Sequence, residues 1–431
     1  MKLFYLLLAN NFMATLTNLT VWFALIFFIY LQTHSVFATS MIAGIHLVLT
    51  AASGIWFGSL VDHHRKKSVM IASSLFSLVA YALGFLIFIT NPIKVFSSIH
   101  YPMIWLFILV LLMGIIAGNI RGITLPTLVT SFCPKEKRDK ANGLVGTVSG
   151  IGFLVTSVIS GFLVGKTSMY GVFIMAISLT VGVIIHLIWL NVPEKKLIHT
   201  TQAERIDLKG TMKVIRAVPG LLALILFATI NNFLGGVFMS LMDAYGLSLV
   251  SVEIWGLLWG FLSIAFIIGG LLITKWGLGK QPLASLMRAN MVIWIICSLF
   301  TVYPSIVILA VCSFIYLMVI PYIEAAEQTI FQNVVPPERQ GRVFGFAQTV
   351  EQMASPITAF TIGPIAEFII IPFITNGWGA KTIGPWFGTG SSRGIALVFT
   401  LTGIIGLIVT LMAWKSKFYT QLSAHYLENS R

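Results

Sequence analysis

The chain has 431 residues, of which 57% are hydrophobic and only 10% charged, and its mean hydropathy is +0.94. A soluble domain of that length needs a far more polar surface, so the composition specifies a polytopic membrane protein with room for about twelve spans of roughly 20 residues. The formal net charge of +13 is not the footprint of a nucleic-acid binder, because the basic residues sit in short links between apolar runs and no basic soluble module is present.

In chain order, the first apolar run covers residues 3–31. No small-residue cleavage pattern follows it, so it reads as a retained helix rather than a signal peptide. Runs at 36–61, 68–89, 102–131, 141–165 and 170–190 complete a first set of six. A charged segment, 192–218, follows. Within it the amphipathic stretch 206–217, with Lys209, Lys213 and Arg216, is expected to lie along the inner membrane surface. Six more runs cover 219–245, 252–276, 282–302, 305–334, 343–374 and 394–414. A loop rich in Gly and Trp, 376–393, joins the last two. A cap over the outer mouth and a plain ordered connector are both open readings of it. The expected fold class is an all-α membrane protein of 12 transmembrane helices in two pseudo-symmetric six-helix bundles, 1–191 and 219–431, with the linker 192–218 between them.

Lys and Arg cluster at 65–67, 135–140, 195–216, 339–342, and at 415 and 417, whereas the alternate links carry chiefly Lys94, Lys166, Lys381 and Arg393. This asymmetry places both termini in the cytoplasm and the chain in a cell membrane, inner or plasma. Cys133, Cys297 and Cys312 form an odd set, two in spans and one in a link, which argues against a disulfide framework.

An internal repeat supports the division. Pro134, Glu136 and Lys137 recur at one fixed offset as Pro336, Glu338 and Arg339, and the same offset pairs Thr127 with Thr329, Gly143 with Gly345 and Gly161 with Gly363. The first and seventh spans share Asn-Asn-Phe, at residues 10–12 and 231–233. Duplicated halves of this kind are frequent in transporters.

Between the second and third spans stands Gly58-Ser-Leu-Val-Asp62-His63-His64-Arg65-Lys66-Lys67. Gly58 lets a neighbouring helix approach, and Asp62 near a helix end can accept bonds from backbone donors or a basic partner. Topology anchoring is the plainer reading of Arg65, Lys66 and Lys67, and a conformational latch the sharper one. The segment resembles the loop between helices 2 and 3 of the major facilitator superfamily, with Gly58, Asp62, Lys66 and Lys67 matching, His63 replacing a basic residue and Arg65 replacing a glycine. The corresponding link in the second half, Gly270-Leu-Leu-Ile-Thr274-Lys275, lacks the aspartate. Residues 328–345 look like the helix 10–11 link of macrolide-efflux-type drug exporters. In the fifth span Gly152, Thr156, Ser157, Ser160 and Gly161 keep the spacing of the antiporter signature without its Gly-Pro. Small residues there permit close helix packing.

Ionisable residues inside the membrane are costly and by default mark a pathway or coupling site. Arg121 in the fourth span is the clearest cation. Glu324 and Glu327 in the tenth are the clearest anions, three apart and hence on one face. The resemblance puts spans 1, 4, 7 and 10 around a central cavity, so Arg121 and the two glutamates are expected to face one water-filled space. A static ion pair is the alternative. Glu351 in the eleventh span is a second candidate proton site or an interhelical bond. Asn10, Asn11, Asn231 and Asn232 suit a cavity wall or interhelical hydrogen bonds. His63-His64 lacks further ligands at metal spacing, so no metal site is assigned, and no nucleotide motif or other cofactor signature emerges.

The reading is a secondary active transporter, not an enzyme, exporting small amphipathic compounds by proton antiport. Its partners are a small-molecule substrate, protons or another coupling ion, and membrane lipids. Nucleic acid is excluded, and a monomer is expected. Export of one physiological product, import of a solute, and a non-transporting membrane sensor or assembly protein stand as alternatives.

Overall fold

A computed structural model describes residues 2–122, 124, 138–193, 208–279, 281–336 and 340–429. Among these residues there is no strand. Six long helices come first: α1 (Lys2–Thr33), α2 (Val36–His63), α3 (Lys66–Thr90), α4 (Pro102–Gly118), α5 (Arg138–Thr167) and α6 (Met169–Trp189). The short α7 (Leu208–Ala217) leads into α8 (Leu221–Leu249), α9 (Val252–Trp276), α10 (Pro282–Leu299), α11 (Ile306–Val334) and α12 (Gln340–Ile365). A π-helical turn at Ala366–Ile370 joins α12 to α13 (Ile371–Thr375). Beyond it lie α14 (Trp378–Thr382), α15 (Gly384–Phe387), α16 (Ser391–Trp414) and α17 (Lys417–Asn429).

Local chemistry accounts for several of these boundaries. Ser35 and Ser305 cap α2 and α11, their hydroxyls accepting from the backbone N–H of Ala38 and Ile308. Pro102 and Pro282 open α4 and α10, where the missing N–H costs nothing. Pro356 and Pro364 lie within α12, and a π turn follows Pro364 two residues on.

Eleven helices among the described residues are long and apolar enough to cross a membrane. Helix α5 adds a shorter apolar stretch, Ile151–Thr167, among the described residues. With α5 counted, the chain is an all-α, twelve-span membrane protein.

The chain forms two compact units, Met1–Gln202 with Val250–Phe261, and Ala203–Leu249 with Leu262–Arg431. In the first, α1 packs along α4, α5 and α6, and α3 packs along α4 and α6. In the second, α8 packs along α12 and α16, and α10 along α11 and α16. The pairs correspond in chain order, so the repeat seen in the sequence recurs as a repeat in packing. Helix α9 is divided at Phe261, its first part belonging with the first unit. A Cβ on Gly256 would lie 2.5 Å from the Ser157 carbonyl oxygen, and one on Gly161 would lie 2.6 Å from that of Val252. Only glycine permits α5 and the start of α9 to approach so closely.

Two segments differ from the sequence expectation. The stripe of α7 expected on the membrane surface is occupied by protein. Thr211, Ile215 and Val218 are buried, and Ile215 and Val218 pack with Leu221, Val335, Val343 and Leu422, while Lys213 and Arg216 stay exposed. Residues four and three apart on a helix share a face, and that face finds an apolar partner in the second unit. Helix α17 is not legible as an apolar run, yet it is anchored here. Gly220, at φ +82°, lets the chain turn against the Phe418 carbonyl and Leu422.

The loop 376–393 holds the short helices α14 and α15 and is bound to Arg393. Arg393 is buried and donates to the carbonyls of Phe387 (2.6 Å), Thr301 (2.9 Å) and Val302 (2.7 Å), with its guanidinium 4.1 Å above the Phe387 ring. Gly388 and Gly390, at φ +92° and +102°, supply the reversal that brings α15 back to it.

Candidate functional site

Two polar centres lie at membrane depth, one in each unit. In the first unit α4 tightens at its end. The N–H of Asn119 bonds to Ile116 O and that of Gly122 to Asn119 O, each three residues back. Ile115 O, which the N–H of Asn119 would otherwise take, accepts instead from Asn18 Nδ2 at 2.7 Å. Ser77 donates to Gly114 O (2.7 Å) and Ser73 to Ala117 O (2.8 Å). These serines are four apart on α3 and face α4. Gly114 and Gly118, four apart on α4, make room for Tyr81 and Asn18, whose side chains would collide with any added Cβ. Tyr81 OH then donates to Asn18 Oδ1.

Arg121 enters this lattice 3% exposed. Its Nη1 donates to Asn10 Oδ1 at 3.0 Å and its Nη2 to Ser74 Oγ at 2.7 Å, with Met70 O at 3.5 Å. Asn10 Nδ2 passes the network on to Val183 O and to the His186 ring. Asn10, Ser74 and the Met70 carbonyl, which face the guanidinium, carry no charge. The pocket that Arg121 lines with Asn18, Ser73, Ser74, Ser77 and Tyr81 has a volume of about 20 Å³, on the scale of a single water. Asn11 is also buried, and its Oδ1 has no donor among the described residues.

The second unit holds the roomy site. A cavity of about 710 Å³ is lined by α8, α10, α11 and α12. Its polar wall comprises Glu324, Glu327, Gln328 and Gln332 of α11 and Gln348, Glu351 and Gln352 of α12, with Asn231 and Asn232 of α8 and Asn290 of α10. Pro321, inside α11, cannot bond back along the helix and lies one turn before Glu324. The Glu327 and Glu351 carboxyls are within hydrogen-bonding reach of each other, and Glu324 lies near enough to Glu327 to repel it. One oxygen of Glu327 and one of Glu351 are shielded from solvent and receive no donor among the described residues. Two facing carboxylates offer only acceptors, so a bond between them requires a proton or a donor from a ligand.

The aromatic wall includes Trp294, Tyr316, Phe227, Phe331 and Phe344. Trp294 Nε1 donates to Asn231 Oδ1 at 2.8 Å, fixing the indole at the cavity edge. Asn231 and Asn232 each donate to the carbonyl four residues back, at Phe227 and Ala228. No group of three His, Cys, Asp or Glu side chains among the described residues gathers at metal-binding spacing.

The structure therefore divides the expected set. Glu324, Glu327 and Glu351 share one cavity with Asn231 and Asn232, whereas Arg121 lines a separate, nearly filled pocket of the first unit and is bonded to Asn10. Sequence reasoning missed Asn18, Tyr81 and the Ser73–Ser77 stripe, as well as the glutamines and Asn290 of the cavity. The fifth-span residues lie on α5. Ser160 donates to Thr20 O (3.2 Å) and Thr156 to Gly152 O (2.8 Å), and Ser157 and Gly161 face Gly256. In the first turn of α3, Lys67 donates to Ile188 O (3.1 Å) and Leu190 O (2.8 Å), closing the C-terminus of α6 within the same unit. Arg65 occupies the N-cap position of α3 and Lys66 its first turn. The side chains of Gly58 and Asp62 lie outside the described residues, as does the link at 125–137.

Twelve spans in two repeated six-helix units, with a polar cavity among transmembrane helices, define a membrane transporter fold rather than an enzyme. The sequence matches the Major Facilitator Superfamily over residues 7–359, and the chain belongs to that superfamily of transporters. It is 24% identical over 368 residues to macrolide efflux protein A of Streptococcus pyogenes, covering 82% of this chain and 87% of the relative. It is 25% identical over 321 residues to macrolide efflux protein A of Enterococcus faecalis, covering 71% and 94%. Among solved structures, a bacterial homologue of the iron transporter ferroportin in an inward-facing state superposes with a TM-score of 0.70 at 13% identity, covering 96% of this chain and 99% of that one. At that identity the likeness speaks to the fold alone.

Proposed function

We propose that this transporter exports small amphipathic compounds by proton antiport, from a cell membrane with both termini in the cytoplasm. The observation that carries the proposal is the Glu327–Glu351 pair. It sets two buried acceptors against each other inside a cavity large enough for an organic substrate. A proton shared by the pair makes the missing hydrogen bond. A substrate donor, or transfer to water on the opposite side of the membrane, releases that proton. Binding of substrate and of proton at one pair of carboxyls would exclude each other, which is the requirement for exchange. The aromatic wall, with Trp294 held by Asn231, offers stacking surface to an apolar body, and the amide-rich wall offers adaptable hydrogen bonds. The relatives named for macrolide efflux support export of amphipathic compounds.

In this proposal Arg121 orders the first unit with Asn10, and the loop at Gly58, Asp62, Arg65, Lys66 and Lys67 is the conformational latch. Small residues from Gly152 to Gly161 provide the close packing that a moving helix pair needs. Purified protein in liposomes with an imposed pH gradient, offered a labelled macrolide and a panel of amphipathic compounds, tests the reading. Gradient-driven flux in the wild type and its loss in Glu327→Gln and Glu351→Gln are expected. Undiminished flux in both variants overturns the coupling assignment.

A further inference from the structure

Away from the central cavity, the second unit carries a groove of about 260 Å³ between α9, α10 and α11. Its walls are chiefly apolar: Gly269 and Leu272 of α9, Ala289 and Val292 of α10, and Met318 and Val319 of α11. Val292 is exposed at 42%, as is Leu271 beside it on α9 at 63%, so this side of the unit turns an apolar face outward. A Cβ on Gly269 would lie 2.2 Å from the Met318 carbonyl oxygen, so the floor of the groove is a backbone contact between α9 and α11.

Three polar side chains interrupt the apolar lining: Ser285, Arg288 and Tyr322. The Ser285 and Tyr322 hydroxyls both donate to Leu278 O, at 2.9 and 3.3 Å, and so pin the α9–α10 connection to the end of the groove. Arg288 is exposed, and nothing among the described residues accepts a hydrogen bond from it. It lies six residues into α10, about 9 Å along the helix axis. Helical side chains lean toward the N-terminus, so the guanidinium is aimed back toward the membrane surface at the α9–α10 connection. Lys275, in the last turn of α9 and 5.3 Å above the Trp276 ring, adds a second cation at that surface.

We infer that this groove is a binding site for an anionic phospholipid, with the phosphate on Arg288 and an acyl chain along Leu272, Val292 and Val319. A cation with five donors and no acceptor among the described residues, beside an apolar trough, matches a lipid in both charge and shape. A soluble phosphate would leave the trough empty.

The test uses the full-length protein in a neutral detergent, with phosphatidylglycerol, phosphatidylcholine or glycerol 3-phosphate added. Bound lipid is measured by native mass spectrometry and melting temperature by tryptophan fluorescence. Wild type should retain phosphatidylglycerol and melt higher with it. Phosphatidylcholine and glycerol 3-phosphate should produce neither effect. Arg288→Gln should weaken retention about fivefold, in line with one basic residue at an anionic surface. Leu272→Trp, which fills the trough and keeps the charge, should weaken it too. Both variants should melt as wild type does without lipid, which separates loss of the site from loss of the fold. Equal phosphatidylglycerol retention in wild type and both variants overturns the site. An equal response to phosphatidylcholine, or a response to glycerol 3-phosphate, overturns the anionic-lipid assignment.

Discussion

The polar centres of the two units hold opposite kinds of chemistry. Around Arg121, Asn10 Oδ1 and Ser74 Oγ accept from the guanidinium and the remaining space amounts to about 20 Å³. Around Glu327 and Glu351, one carboxyl oxygen of each receives no donor among the described residues and the space is about 710 Å³. Satisfied polar lattices rigidify, whereas an orphaned acceptor in an open cavity must be completed by something that comes and goes. In the function proposed above, the first unit provides a fixed frame and the second the exchangeable site.

The largest effect expected from this contrast is functional and falls in the second unit. Glu327→Gln places an amide N–H₂ opposite Glu351 and supplies the missing donor. Gradient-driven flux in liposomes should fall to near background, while thermal stability should hold or rise by about 1 kcal/mol, the worth of one hydrogen bond. A variant that both loses flux and melts early would show the pair to be structural and would erase the contrast.

The next effect falls in the first unit and should have the opposite signature. Arg121→Ala leaves Asn10 Oδ1 without its donor at a buried position, along with a cavity, and each orphaned group costs roughly 1–3 kcal/mol. Melting in detergent should drop by several degrees. Binding of a labelled substrate to the protein that remains folded should be nearly unchanged. Loss of binding at unchanged stability would move Arg121 from frame to substrate site. A smaller effect of the same kind is expected for Tyr81→Phe, which removes the bond to Asn18 Oδ1 and keeps the ring. About 1 kcal/mol of stability should go, with flux at wild-type level.

The division explains what could be read from the chain. Glu324 and Glu327 were legible because two acids three apart in an apolar run have one explanation, a shared polar face. The architecture was legible because span length and charge asymmetry are properties of single segments. The lattice around Arg121 was not. Ser73, Ser77, Gly114 and Gly118 are ordinary residues in apolar helices, and their meaning lies in the register between α3 and α4, which no single segment states. Asn18 bonds to a carbonyl freed by the tightened end of α4, and nothing in the local sequence announces that change of hydrogen bonding. Likewise α17 has too little apolar character to be read as a span. Its anchor, Gly220, stands some two hundred residues earlier. The linker helix α7 shows the converse: its amphipathic pattern was plain, but the pattern names an apolar partner without saying whether that partner is lipid or protein.

Glu324 offers the finest test of the contrast, because it shares the cavity but not the pair. It is exposed to the cavity, where water screens its charge, and its interaction with Glu327 is repulsive. Glu324→Gln removes that repulsion without removing either member of the pair. Gradient-driven flux should therefore persist, reduced at most about fivefold, which is the upper end for an exposed charge interaction. The pH at which flux is half-maximal should move, because one negative neighbour of the pair is gone. A profile that stays in place would show that Glu324 does not sense the pair and would restrict the exchangeable site to Glu327 and Glu351 alone. A flux loss as complete as that of Glu327→Gln would show instead that the three carboxyls act as one unit.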